Sequence, residues 1–213
     1  GTDIEVVLTG NTYQAAFTES SPVSTFNSGN QILLNASGSL QIDNRILTYM
    51  DNQWKAENEF SWSDLTGKTN VTAVYPVYPD LDYVQENLYK NNSLEDILYV
   101  KDEFPAGNSI HLQFKHLFSL LTLHLEGNLQ TYFQKIEVTC PAVSSIIPKS
   151  AEIVLADNGT HTTTIAQVSP SGNYSFIVPP VGNMVIAINM VTNGKKYTTQ
   201  LETKSFTGNK EYT

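Results

Sequence analysis

Cysteine is almost missing from this chain: Cys140 is the only one in 213 residues. An internal disulfide framework and a zinc site built from several thiolates are therefore excluded. Within Ile136-Glu137-Val138-Thr139-Cys140-Pro141 the lone thiol reads as a small apolar strand residue in preference to a reactive group. Charge is also scarce, at 15% of residues, whereas long helices draw on Ala, Leu, Glu, Lys and Arg. No basic run exceeds Lys195-Lys196. With a formal net charge of -9 and a pI near 4.8, the chain repels phosphate backbones and anionic headgroups, so nucleic acid and membrane surfaces are not expected partners. No apolar run approaches the roughly 18 to 20 residues that span a bilayer, and the start at Gly1 reads as a mature or engineered one.

Catalytic signatures are missing as well. There is no Gly-x-Ser-x-Gly elbow, Walker loop or dinucleotide fingerprint, so neither an enzyme nor a bound cofactor is expected. The histidines His111, His116, His124 and His161 form no HExxH or His-x-His pattern, and no metal site is expected. His111 and His116 are separated by an odd number, which puts them on opposite faces of a regular strand. His116 reads as a structural histidine bonded to backbone. The acids Asp80, Asp82, Asp102 and Glu103 lack calcium-loop spacing and read as solvated loop residues ahead of a glycosidase pair.

What the chain has in abundance is Thr, Asn, Ser and Tyr, Tyr occurring 11 times, with 40% hydrophobic residues. That composition favours strands and polar turns around real cores. Ile4, Val6 and Leu8 alternate with Glu5 and Val7, the pattern of a strand buried on one face. Thr18 to Thr25 is polar and contains proline, an extended loop. Asp43-Asn44 sits between apolar runs, so a tight hairpin is expected there, with a second at Asp51-Asn52-Gln53. Val71-Thr72-Ala73-Val74-Tyr75-Pro76 reads as a core strand stopped by proline.

From Asp80 to Phe104 the pattern loosens into a long excursion with room for a helical turn. Pro105-Ala106-Gly107-Asn108-Ser109 is the clearest breaker near the middle, and the boundary between two domains, 1–107 and 108–213, is placed there. In the second half, strands are expected at 110–117, 120–125, 135–139, 151–155, 162–168, 174–178, 184–191 and 196–201, with turns at Asp157-Asn158-Gly159, Ser171-Gly172-Asn173 and Asn193-Gly194. A spacing of about 10 to 12 residues marks a β-sandwich with Greek-key connections. Trp54 and Trp62, with Tyr49, Tyr75 and Tyr78, suit either an exposed platform for sugar rings or the filling of the first core.

Five segments in order carry a resemblance. They are Phe26-Asn27-Ser28-Gly29-Asn30-Gln31-Ile32; Trp54 and Trp62 ahead of the Val71 to Pro76 strand; Ile110-His111-Leu112-Gln113-Phe114-Lys115-His116-Leu117-Phe118-Ser119-Leu120-Leu121; Gly172 to Pro180; and Phe206-Thr207-Gly208-Asn209-Lys210-Glu211-Tyr212. Together they resemble the fimbrillin-like (Mfa/FimA-type) surface proteins of Bacteroidales. The resemblance implies an all-β chain of two transthyretin-like Greek-key β-sandwich domains. It further implies a lipoprotein precursor exported to the outer membrane and used as a fimbrial (pilus) stalk, anchor or tip subunit or as an adhesin, without catalysis. Implied partners are other fimbrial subunits or ligands on host or bacterial surfaces, with the membrane touched only through the precursor's lipid anchor.

In polymerising members of the family an N-terminal strand is removed and a strand of the next subunit takes its place, which is β-augmentation. Ile4, Val6 and Leu8 mark the candidate strand here. Two departures are visible: the only arginine is Arg45, so Thr18 to Thr25 offers no basic cleavage site, and Tyr212-Thr213 falls where the family's last strand is starting. A tip or accessory subunit is therefore expected as readily as a stalk. The alternative is a carbohydrate-binding surface lipoprotein or module, with Trp54 and Trp62 as its aromatic contacts.

Overall fold

A computed structural model of the chain describes residues 3–8, 17–18, 25–57, 67–105, 109–125, 135–166, 172–180, 184–192, 195–203 and 206–212. The strands are β1 (Asp3–Leu8), β2 (Phe17–Thr18), β3 (Gln31–Gly38), β4 (Ile42–Met50), β5 (Gln53–Ala56), β6 (Thr69–Tyr75), β7 (Tyr89–Lys90), β8 (Ser93–Leu94) and β9 (Leu98–Phe104). They continue with β10 (Ser109–His116), β11 (Ser119–Leu125), β12 (Lys135–Ile147), β13 (Glu152–Ala166), β14 (Gly172–Val178), β15 (Met184–Thr192), β16 (Lys195–Thr203) and β17 (Glu211–Tyr212). Helical structure among the described residues is a 3-10 turn at Pro79–Leu81 and the single turn α1 (Gln85–Leu88). The chain is all-β, as its composition predicts.

The largest sheet has seven strands in the order β1-β10-β9-β6-β3-β4-β5; two four-stranded sheets run β17-β11-β14-β2 and β13-β12-β15-β16. The expected division at Gly107 falls in the β9–β10 connection, whose residues 106–108 lie outside the described ones. β10, on its far side, joins the seven-stranded sheet beside β9. The two margins of that sheet, β1 and β5, bring Cα atoms within 8 Å of each other, so the sheet curls round its own inner face.

β3 explains why the sheet is central. Ile32, Leu34 and Ala36 point into the curl, where they meet Val71, Leu98, Leu112 and Phe114. Leu33, between them, points the other way into a second core. A strand covered on both faces reads as a continuous apolar run, and Gln31-Ile32-Leu33-Leu34 is one. The second core is filled from the excursion: Tyr78, Tyr83, Leu88, Leu94 and Ile97 are buried there against Phe118, Leu120, Val143 and Ile177. The loosened segment is thus a plug between the seven-stranded sheet and the later strands.

Two expected turns are bulges instead. β4 runs unbroken through Asp43-Asn44, with Asn44 at φ 49, and the ladder with β3 shifts register between Leu34 and Ala36. β13 likewise runs through Asp157-Asn158-Gly159, with Asn158 at φ 53 and register shifts against β12. Residues that tolerate positive φ serve a bulge as well as a hairpin, so their presence alone does not choose. The hairpin expected at Asp51-Asn52 does form, with φ 53 and 58 and Met50 paired with Gln53, the signature of a two-residue type I′ turn.

Candidate subunit-contact site

The candidate exchangeable strand lies at the margin of the large sheet. β1 pairs in parallel with β10 in an unbroken register from Asp3↔Ser109 to Leu8↔Phe114. Ile4, Val6 and Leu8 therefore stand opposite Ile110, Leu112 and Phe114, the buried row of β10. On its other side β10 pairs with β9 only at Lys115↔Tyr99 and His116↔Leu98. Over Ser109–Phe114, β1 is thus the ladder partner of β10 among the described residues. Among the described residues β1 is hydrogen-bonded to no second strand.

At the opposite margin Trp54 sits on β5, half-buried. Its ring meets Phe26 edge-on at 5.2 Å and Tyr49 at 5.2 Å, and Phe26 in turn meets Tyr75 at 5.4 Å and Phe114 at 5.6 Å. Phe26 thus packs Trp54 of β5, Tyr75 of β6 and Phe114 of β10 together against the core inside the curl. Tyr78 is apart from them in the second core. Trp62 lies outside the described residues.

The C-terminal segment is clasped onto the start of β11. Asn209 adopts φ 62, accepts the His116 backbone N–H on Oδ1 at 3.0 Å and donates its own N–H to the Phe118 carbonyl at 3.0 Å. Thr207 accepts from the Ser119 hydroxyl at 2.8 Å, and Phe206 stacks on Tyr212 at 4.0 Å. β17 then runs parallel to β11. This geometry accounts for Thr207-Gly208-Asn209 as a unit: a Cβ on Gly208 would stand 2.5 Å from the Leu117 carbonyl oxygen.

His116 is fully buried and its Nδ1 lies 2.9 Å from both carboxylate oxygens of Asp96, itself buried. Its role is structural, as its sequence setting suggests, but the side-chain partner is a carboxylate from the plug and not backbone. His111 is exposed on the opposite face of β10. His161 holds the Asn92 carbonyl at 2.7 Å and packs on Tyr89, and His124 bonds Asn173. Asp80 and Asp82 are exposed on the plug, Asp102 accepts the Glu103 N–H at 2.8 Å, and Glu103 pairs with Lys68 at 3.2 Å. Among the described residues no group of three or more His, Cys, Asp or Glu could hold a metal ion, and no helix is long and apolar enough to cross a membrane. Burial pushes the Cys140 thiol up to about 12, so little of it is the nucleophilic thiolate at neutral pH.

Two depressions lie on the outer face of the large sheet, with volumes of about 260 and 300 Å³. Lys101 lines both. Lys149 closes one end, bonded to Asp43 at 2.9 Å; that hydrogen bond, with a second from Gln41, holds the Asp43 carboxyl below its ordinary value. None of these residues stands out in the sequence, because each is a single polar residue on a strand and Asp43, Lys101 and Lys149 are far apart along the chain.

The fold recurs in solved structures. A candidate cell adhesion protein of Bacteroides uniformis aligns with TM-score 0.60 and 11% identity over 86% of this chain and 83% of that one. One of Bacteroides ovatus aligns with TM-score 0.57 and 14% identity over 97% and 88%. A C-terminally truncated tip fimbrial protein of Porphyromonas gingivalis aligns with TM-score 0.50 and 7% identity over 87% and 88%. Among curated protein sequences none matches. The fimbrillin-like family model matches residues 18–213, nearly the whole chain, and with the all-β fold and the clasped Phe206–Tyr212 segment in place the chain belongs to the fimbrillin-like family.

Proposed function

We propose that this chain is a cell-surface fimbrial or adhesion subunit that assembles or binds through β-strand addition at the β1 margin of the seven-stranded sheet. The observation that carries the reading is the pairing of β10. Over Ser109–Phe114 its ladder partner among the described residues is β1, a six-residue strand that pairs with no second described strand. Loss of β1 leaves the ladder groups of β10 open to another extended segment, the usual basis of strand addition. Export as a lipoprotein precursor to the outer membrane, and other fimbrial subunits or surface ligands as partners, belong to the same reading and are supported by family membership. Tip or accessory placement fits as well as a stalk, since Thr18 to Thr25 has no basic residue.

The test is an exchange experiment. A specific protease site is inserted between Leu8 and Phe17, the folded protein is cleaved, and a labelled peptide with the Asp3–Leu8 sequence is added. Uptake by the cleaved protein and not by the intact one is expected in native mass spectrometry. A cleaved protein that stays folded yet takes up no peptide, and that forms no oligomers, would overturn the reading.

A further inference from the structure

Among the described residues, the outer face of the seven-stranded sheet is covered at one end only. Leu33 and Val74 carry the second core there. Along the same face the rows continue as polar residues: Asn35 opposite Thr72, Thr72 opposite Lys101, then Gln113 and Lys115 of β10. The two depressions adjoin at Lys101 and together make a broken trough across β10, β9, β6 and β3, ending at Lys149. With strands about 4.8 Å apart, the trough is on the order of 15 to 20 Å long. It opens between β9 and β10, whose ladder stops at Lys115↔Tyr99. Beyond that point the β10-facing backbone groups of Val100 to Asp102 line the trough without a partner strand among the described residues.

The charges in it are unbalanced. Its acids are engaged, Asp43 by Lys149 and Asp102 by the Glu103 N–H. Lys101 and Lys115 are exposed, and among the described residues neither has an ion-pair partner. The ammonium groups of Lys101, Lys115 and Lys149 thus face the carboxylates of Asp43 and Asp102 in the trough, a local excess of one positive charge on a chain of net charge -9, opposite in sign to the molecule around it. The overall charge repels a densely charged polyanion such as nucleic acid, and a concave strip does not fit a flat bilayer. An extended peptide needs alternating apolar pockets, and the lining around Lys101 and Lys115 is mainly polar, with His111, Gln113 and Asp102 beside them. A ligand rich in hydroxyls with isolated carboxylates matches it.

We propose that the trough binds an acidic oligosaccharide, with the exposed Lys101 and Lys115 contacting sugar carboxylates and the exposed Gln113 facing ring hydroxyls. This gives the adhesion reading a ligand class and rests on that reading, while strand addition at β1 does not depend on it. The test uses isothermal titration of the full chain with two uronate probes, an oligogalacturonate and an alginate oligomer. A neutral galactose oligomer and an oligoglutamate peptide of equal charge are the comparisons. One uronate probe is expected to bind, more weakly as salt rises, and Lys101→Glu and Lys115→Glu are each expected to weaken it about tenfold or more, the effect of losing one charge-assisted contact. Lys55→Glu, at the far margin of the sheet, is expected to leave binding unchanged. The proposal is overturned if neither uronate binds, if both trough variants bind as the parent does, or if the neutral oligomer or the peptide binds as tightly. Peptide uptake by the cleaved chain is measured separately, so the two readings fall independently.

Discussion

Asp96 illustrates how much a single buried residue carries here. Its carboxylate accepts the Nδ1–H of His116 inside the plug, where neither group reaches water. Removing one member of such a pair takes this hydrogen bond from the other in a desolvated site. Asp96→Ala is therefore expected to cost about 1 to 3 kcal/mol, and Asp96→Asn less, because an amide oxygen still accepts from the imidazole; urea unfolding measures both. The structural role of His116 was legible from its place on an alternating strand. Its partner was not, since Asp96 lies 20 residues earlier in a segment without periodicity. Alkaline titration belongs to the same scale. Burial raises the Cys140 thiol from 9.0 to about 12 and the Tyr89 phenol from 10.0 to about 12, and raises Tyr78 and Tyr83 too. In each case the folded chain holds its proton to higher pH than the unfolded chain does. Stability is thus complete below about pH 9 and falls as pH rises from about 9 to 12. Melting temperature measured across that window should drop, with tyrosinate absorbance appearing at the unfolding step. Free ionisation of these phenols in the folded protein would contradict their burial.

At the scale of elements, the bulge in β4 is held by one side chain. Where the β3–β4 ladder skips, Asn35 Oδ1 accepts the Asn44 N–H at 2.8 Å and its Nδ2 donates to Asn44 Oδ1 at 3.3 Å, with Asn35 almost fully buried. Asn35→Ala strands the Asn44 N–H and should cost about 1 to 3 kcal/mol, with faster amide exchange at Asn44 as the local readout. A loss spread evenly over the sheet, with Asn44 unaltered, would show that the side chain does not patch the ladder. The C-terminal clasp is equally local: Gly208→Ala forces a Cβ against the Leu117 carbonyl, so β17 should detach and tryptic cleavage at Lys210 should accelerate in the folded protein. Such elements are partly readable in advance. Alternation exposes β10 and the turn residues at Asp51-Asn52, because those signals are set by neighbours in the chain. Asp43-Asn44 and Asp157-Asn158-Gly159 mislead because the same residues relax a bulge or a turn, and the opposing strand decides which.

For the whole molecule, the legible part is all-β architecture, and the hidden part is how the large sheet curls and what joins the layers. The segment from Tyr78 to Ile97 looks like a surface excursion because its apolar residues follow neither period. It is instead the material between two layers, and through it Leu33 and Val74 of the large sheet share a core with Phe118 of the β10–β11 connection, Leu120 of β11 and Ile177 of β14. Two sandwich units dividing near Gly107 remain the proposed description, and the shared core makes a definite statement about them: they should unfold together. Phe118 is fully buried at the centre of that core, and Phe118→Ala should cost about 3 to 5 kcal/mol. In a Trp62→Phe background the fluorescence of Trp54 reports the large sheet, and amide exchange along β11 and β14 reports the other layer. If the core couples them, Phe118→Ala lowers both midpoints by the same free energy, and the parent shows one calorimetric transition whose van't Hoff and calorimetric enthalpies agree. If only the β11 and β14 amides respond while the Trp54 midpoint stays in place, the layers are independent and the plug belongs to one of them. Coupling has a functional consequence as well, because a pull on β1 would then be resisted by the whole chain and not by the large sheet alone.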